Sequence, residues 1–191
     1  MRLEMLNPPY EGEDAVRVAR WVPPNTDVEP THSVRLMLRQ HPDLAEAMRG
    51  LAWFLLDAGR SSLDIRLREL AVARTTALAG CEYQWGVHQA VFGNDARITE
   101  EQRQSTVNGS PDDPCWDERD RTVLRAMDEL HETSAVSDAT WSRLIQHLSA
   151  EEIVELITVA GWYLLNSYWT NASQPQLEDF AVPFPRTASS G

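Results

Sequence analysis

The sequence predicts an all-α protein of about seven to eight helices. From residue 31 onward, apolar residues recur at three- and four-residue spacing, the period of one face of a helix. No run of residues alternates between apolar and polar, and no Asn-Gly turn is flanked by β-branched segments. Hydrophobic residues make up 42% of the 191 residues and charged residues 24%, a balance typical of a globular chain.

Proline separates an amino-terminal arm from the helical part. Residues 1–30 are predicted to be an extended arm, because proline interrupts helices and sheets and this segment contains five of them. They are Pro8, Pro9, Pro23, Pro24 and Pro30. Residues 31–174 form the predicted helical domain, and residues 175–191 are a predicted carboxy-terminal tail.

Start and stop signals divide the domain into helices. His41-Pro42 ends the first, since the residue before a proline is pushed out of the α region. Gly80 is a typical stop, and Thr99 followed by Gln102 forms a capping box at a later start. The predicted helices cover approximately residues 33–40, 43–58, 65–79, 81–92, 99–106, 117–132, 139–148 and 153–170.

Charge excludes several functions. Asp+Glu outnumber Lys+Arg by 29 to 17, and the net charge of −12 disfavours nucleic acids and anionic membranes as partners. All the basic residues are arginine, so a lysine Schiff base is excluded. The histidines show no metal-ligand spacing and no glycine-rich phosphate loop occurs, so we expect neither a metal nor a cofactor.

Cysteine content and hydropathy predict a cytoplasmic protein. Cys81 and Cys115 are too few for a disulfide framework, and the amino terminus has no apolar stretch of signal-peptide length. The longest apolar segment, residues 156–169, is interrupted by polar residues and falls short of the ~20 residues that span a bilayer.

The segment after Gly80 carries the candidate chemistry. Cys81, Gln84, Trp85 and His88 lie at i, i+3, i+4 and i+7, which places them on one face of a helix. Cys81 opens this helix, where the macrodipole favours a thiolate. If the preceding helix packs antiparallel, Glu69 faces His88. A carboxylate and an imidazole in an apolar pocket form a proton-transfer pair.

These residues resemble the carboxymuconolactone decarboxylase and AhpD-like alkylhydroperoxidase superfamily. The resemblance rests on Arg-x-Arg-Glu-Leu-Ala at residues 66–71 and on Cys-Glu-Tyr-Gln-Trp-x-x-His at residues 81–88, and it extends from about residue 41 to 172. It implies an AhpD-like helical bundle, a homo-oligomer (dimer, trimer or hexamer) and a small-molecule substrate.

The motif departs from both branches of the superfamily. The peroxidase branch has Cys-x-x-Cys before the histidine, with an upstream glutamate that corresponds to Glu69. Here Gln84 occupies the second cysteine position, so no disulfide forms within the motif. The decarboxylase branch more often has Glu-Tyr-Glu-Trp, and an amide at Gln84 is better suited to hydrogen bonding with substrate than to acid–base work.

Each candidate residue also has a structural interpretation. His88 would be a core histidine bonded to a carbonyl, Glu69 would pair with Arg66 or Arg74, and Cys81 would be a small buried residue at a turn. Tyr83 and Trp85 would be core or interface aromatics. Tyr163 and Asn166, polar groups in an otherwise apolar late helix, line either the pocket or a subunit interface.

Three functions remain open. The first is a carboxymuconolactone decarboxylase-like lyase that transfers protons without a cofactor on a small organic acid or lactone. In it His88 is the acid or base, and Glu69 orients His88 or relays protons. Cys81, Tyr83 and Gln84 line the pocket with Trp85, Tyr163 and Asn166. The second is a peroxidase that uses Cys81 with an external thiol. The third is a catalytically degenerate oligomeric binding protein.

Overall fold

The computed structural model describes residues 1–22 and 28–186. Within these ranges the chain forms nine helices and no strand, so the all-α prediction is confirmed. The helices are α1 (Gly12–Ala19), α2 (His32–Gln40), α3 (Pro42–Leu56), α4 (Ile65–Leu78), α5 (Glu82–Val91), α6 (Glu100–Asn108), α7 (Glu118–Thr133), α8 (Asp138–His147) and α9 (Ala150–Ser173).

Helix α4 lies at the centre of the molecule. It packs against α5, α6, α7 and α9, and every residue from Leu67 to Thr76 is buried. Because α4 is enclosed on all sides, its polar residues must find partners inside the protein. Glu69 is one of these buried polar residues, and its partners form the candidate site described below.

The helix boundaries follow the start signals of the sequence. The capping box of Thr99 and Gln102 is present, and Ser149 forms another with Glu152 at the start of α9. Helix α3 begins at Pro42, where a fixed φ angle and a missing N–H are both tolerated. The His41 side chain caps it by accepting a hydrogen bond from the backbone N–H of Leu44.

The sequence predicted an extended amino-terminal arm, but part of this arm is helical. Residues 12–19 form α1, because the prolines of the arm lie outside this stretch. Val18 is buried in a small second core together with Leu6, Leu38 and Ala45. That burial fixes α1 against α2. Residues 23–27 of the predicted arm lie outside the described residues.

The predicted tail is also ordered where it is described. Residues 175–186, called the strap below, cross the outside of α5 without helical structure. The rest of the predicted tail, residues 187–191, lies outside the described residues. Along the described chain, no helix combines the length and apolar character needed to cross a membrane.

Candidate functional site

A sharp turn positions the start of α5. Gly80 has a φ of +62°, a left-handed conformation that glycine adopts readily, and it reverses the chain after α4. Cys81 follows as the N-cap residue of α5 and is fully buried. The turn makes α5 pack alongside α4, as the interpretation of Glu69 and His88 requires.

Glu69 and His88 meet in the interior. Oε2 of Glu69 lies 2.8 Å from Nδ1 of His88, and both residues are buried. A carboxylate can only accept here, so Nδ1 carries the proton and donates it. Nε2 is thereby left as the ring nitrogen for chemistry, and it forms no hydrogen bond with any residue that the structure describes.

Arg68 completes this arrangement. Its Nε donates to Oε1 of Glu69 at 2.7 Å, so both carboxylate oxygens are engaged. Arg68 is itself 3% exposed, donates to the backbone carbonyl of Leu55, and lies over the ring of Phe92. The carboxylate that orients His88 is therefore held in place by a buried guanidinium.

Glu69 does form an ion pair within α4, but its partner is Arg68 and not Arg66 or Arg74 as the alternative interpretation proposed. Arg66 pairs with Asp120, and Arg74 pairs with Asp128, both on α7. Arg66 and Arg74 do not pair with Glu69, because each already forms an ion pair with an aspartate of α7. Sequence reasoning missed Arg68 as the partner, since neighbouring residues in a helix do not normally face each other.

Aromatic rings enclose the imidazole of His88. The Tyr163 ring meets it edge-on with centroids 4.7 Å apart, and the Phe92 ring lies 5.3 Å away. Burial and the negative charge of Glu69 raise the pKa of Tyr163 well above its usual range. Tyr163 therefore stays a neutral hydroxyl beside His88, and the structure brings these two candidate residues together.

Cys81 lies on the same helix but has a different neighbour. Its Sγ is 3.3 Å from Oγ1 of Thr170 on α9. The Thr170 hydroxyl donates its single proton to the backbone carbonyl of Asn166. In the contact between the two side chains, the thiol of Cys81 is therefore the donor and Oγ1 of Thr170 the acceptor.

Trp85, Tyr83 and Asn166 do not join the His88 group. Trp85 is fully buried and donates from Nε1 to Oγ1 of Thr106 on α6. The amide of Asn166 is used within α9, where Nδ2 donates to the carbonyl of Trp162. The interpretation of Trp85 as a core aromatic fits this placement better than a role in substrate binding.

Tyr83 instead anchors the strap. Its hydroxyl donates to Oε1 of Glu178, and the same oxygen accepts from the backbone N–H of His32 at the start of α2. Burial and the hydrogen bond to Glu178 raise the pKa of Tyr83 above its usual range, so the hydroxyl remains a donor. Sequence reasoning missed Glu178, because nothing in the tail marks it as a buried acid.

Gln84 keeps its polar atoms available. Its side chain is buried, yet it forms no hydrogen bond with a described residue. It is one turn before His88 on α5, so a pocket-lining role agrees with its position. Two open cavities, of about 530 and 580 Å³, are lined by neither Gln84 nor His88.

Gly86 brings the strap into contact with α5. The N–H of Val182 donates to the carbonyl of Gly86 at 3.2 Å, and a Cβ at Gly86 would lie 2.2 Å from the carbonyl oxygen of Val182. Only glycine therefore permits this approach. Leu177 and Ala181 of the strap then pack over a cluster that contains Cys81.

Replacing Gly86 by alanine is expected to displace the strap and expose Cys81. The rate of Cys81 alkylation by iodoacetamide, followed by mass spectrometry in a Cys115→Ser background, should rise at least about tenfold, or ~1.4 kcal/mol in opening free energy. Gly50→Ala is the matched control, because a Cβ at Gly50 meets nothing within 4 Å. Equal alkylation rates in the two variants would refute the covering role of the strap.

Within the described residues, no group of three or more His, Cys, Asp or Glu side chains is arranged to hold a metal ion. His88 forms a hydrogen bond with Glu69, and Asp120 and Asp128, the acids of α7 that contact α4, form ion pairs with arginines. The groups offered for chemistry are thus Nε2 of His88, the hydroxyl of Tyr163, the amide of Gln84 and the thiol of Cys81.

Solved structures share this fold across most of the chain. A protein of unknown function from Agrobacterium tumefaciens, described in relation to the antioxidant defence protein AhpD, has 18% identity and a TM-score of 0.66 over 74% of this chain and 94% of its own. An uncharacterized peroxidase-related protein from Silicibacter sp. has 18% identity and a TM-score of 0.65 over 76% of each chain.

A debrominase shows the same fold over a longer stretch. A Cys→Ala variant of the debrominase Bmp8, solved in complex with 2,3,4-tribromopyrrole, has 21% identity and a TM-score of 0.64 over 92% of this chain and 95% of its own. Identities this low establish a shared fold and no more.

A family model matches the central part of the chain. No curated protein sequence matches the chain. Residues 42–129, which include α4, α5 and the Glu69–His88 pair, match the carboxymuconolactone decarboxylase family. The resemblance noted in the sequence is thus confirmed over residues 42–129, which match the carboxymuconolactone decarboxylase family, and the chain has the fold of AhpD-like proteins.

Proposed function

We propose that the protein is an enzyme that transfers protons through His88, without a cofactor, on a small organic acid or lactone. The observation that carries this proposal is the 2.8 Å contact between Nδ1 of His88 and Oε2 of the buried Glu69. It fixes the tautomer and the direction of the imidazole, as a general acid or base requires.

A decarboxylation uses this arrangement in one proton transfer. The bond between the substrate carbon and its carboxylate breaks, carbon dioxide leaves, and the electron pair stays on the substrate. Nε2–H of the imidazolium then protonates that carbon, and His88 recovers its proton from water. Glu69 is the positioning residue, because its negative charge stabilises the imidazolium.

Neighbouring groups would orient the substrate. The neutral hydroxyl of Tyr163 and the amide of Gln84 are donors suited to a carboxylate or lactone carbonyl. Arg68 donates to Glu69 and to the carbonyl of Leu55, so we do not expect it to bind the substrate directly. The substrate is thus expected to be small and partly apolar, to match the rings around His88.

The test uses carboxymuconolactone, the compound that gives the family its name. The wild-type protein is incubated with it and the release of carbon dioxide is measured. Cys81→Ser should leave turnover within about threefold, because the thiol takes no part in proton transfer. Loss of turnover in a folded Cys81→Ser protein would refute this mechanism. Other small lactones and β-keto acids extend the same assay if the first substrate is inert.

A second candidate function uses the thiol of Cys81. It is favoured by the position of Cys81 at the start of α5, and by the likeness to a debrominase crystallised as a Cys→Ala variant. In a peroxidase cycle the thiolate attacks the peroxide oxygen, releasing an alcohol or water. The sulfenic acid then condenses with an external thiol, and a second thiol restores Cys81.

Thiol-dependent assays separate the two candidates. Peroxide consumption, and bromide release from 2,3,4-tribromopyrrole, are measured with dithiothreitol as the reductant. Activity that disappears in Cys81→Ser supports the second candidate. An absence of turnover in all these assays would favour the degenerate binding protein instead.

A further inference from the structure

One face of α9 is exposed and apolar along its whole length. Val154, Ile157, Leu165 and Tyr168 are 66%, 38%, 48% and 63% exposed. Small residues on the same face are exposed as well. The apolar stripe of α9 is defined here as Ala150, Val154, Ile157, Gly161, Leu165, Tyr168 and Ala172. An exposed face of this extent is typical of an interaction surface.

The centre of the stripe is a glycine that its own chain does not require. A Cβ built on Gly161 meets no atom within 4 Å, and the residue lies in the interior of a 24-residue helix. Glycine destabilises such a position relative to alanine. Its one structural advantage there is that a second backbone can approach closely from outside.

The stripe is symmetric about this glycine. Ile157 and Leu165 lie four residues to either side of Gly161, Val154 and Tyr168 lie seven, and the two alanines lie eleven. A twofold axis perpendicular to α9 at Gly161 therefore places each apolar position opposite another apolar position. Such a self-complementary surface is what an isologous contact between identical chains requires.

A groove beside the stripe provides space for the largest of these side chains. An open cavity of about 580 Å³ between α3 and α9 is lined by Val154 together with Leu51 and Phe54 of α3. In the symmetric arrangement the partner's Tyr168 lies opposite Val154, at the edge of this groove. A buried aromatic residue in a pocket is typical of the centre of a stable interface.

We propose that a second copy of this chain covers the apolar stripe, with the two α9 helices antiparallel about a twofold axis at Gly161. The homo-oligomer that the sequence resemblance implies is thereby given a specific contact and register. An isologous contact pairs the chains, so the assembly contains an even number of subunits. This proposal stands on the stripe alone and is independent of the reaction at His88.

The test is sedimentation velocity on the full chain at micromolar concentrations. The wild type should sediment as a dimer, or as a larger assembly of dimers, of 21.6 kDa subunits. Ile157→Arg and Leu165→Glu, made singly, should each weaken the pairing at least about 30-fold. Circular dichroism confirms that each variant remains helical.

The two charges together test the register. In a chain that carries both substitutions, the antiparallel arrangement places the introduced arginine opposite the partner's introduced glutamate, and pairing should recover to within about tenfold of the wild type. Ile145→Arg on α8 is the control, since Ile145 is 58% exposed and lies outside the stripe. It should leave the mass unchanged.

Three results would overturn the proposal. They are a monomeric wild type, single variants that keep the wild-type mass, and a double variant that stays as dissociated as the single ones. Gly161→Leu offers an independent check, because it fills the point of closest approach without adding charge. It should also weaken the pairing, whereas Gly50→Leu on α3 should not.

Discussion

Replacing His88 by glutamine is expected to lower turnover at least ~100-fold while the protein remains folded. Glutamine retains a group that can hydrogen-bond to Oε2 of Glu69, but it cannot carry a proton to a substrate carbon. The loss should therefore appear in kcat rather than in KM. Carbon dioxide release from carboxymuconolactone, or from whichever lactone the wild type decarboxylates, is the measurement.

His147→Gln serves as the matched control for this variant. His147 is half-buried in the last turn of α8, a helix whose main contacts are with α7 and α9 rather than with α4. Its replacement should leave kcat unchanged. If His88→Gln kept wild-type turnover with an intact thermal transition, proton transfer by His88 would be excluded.

Replacing Glu69 by alanine is expected to lower the free energy of unfolding by about 3 to 5 kcal/mol. The variant leaves the guanidinium of Arg68 charged, 3% exposed and without its carboxylate partner. It also removes the acceptor for Nδ1 of His88 and creates a cavity in α4. Urea unfolding followed by circular dichroism measures the change.

Two further variants test whether the loss of stability comes from the unpaired buried charge of Arg68. Glu46→Ala breaks an exposed ion pair with Arg49 and should change the urea midpoint little, because solvent screens that pair. Combining Glu69→Leu with Arg68→Met removes the unpaired charge and should recover part of the stability. A Glu69→Ala protein as stable as Glu46→Ala would show that the buried pair is not needed for folding.

The partner of Glu69 illustrates what lies beyond sequence reasoning. Helical spacing shows that Glu69 can face the next helix, and the Gly80 break then brings it to His88. The choice among Arg66, Arg68 and Arg74 depends on α7, whose acids engage Arg66 and Arg74. Nothing within α4 itself records where those acids lie in space.

The face of α5 shows a similar limit. Spacing correctly places Cys81, Gln84, Trp85 and His88 on one side of the helix, but that side is wide enough to meet more than one neighbour. Trp85 turns to Thr106 on α6, and His88 turns to Glu69 on α4. The packing of neighbouring helices divides a face that appears continuous in the sequence.

The sequence by itself determined the helical class and most helix boundaries, because helical period, caps and breaking residues are local signals. It offered the Glu69–His88 pair as one of several arrangements for Glu69. Only the tertiary structure decided that Arg68 holds Glu69, that α1 forms within the proline-rich arm, and that the strap covers Cys81. These features depend on contacts between segments far apart in the chain, such as Glu178 with Tyr83. Such contacts arise when several helices together exclude water, and no local pattern encodes them.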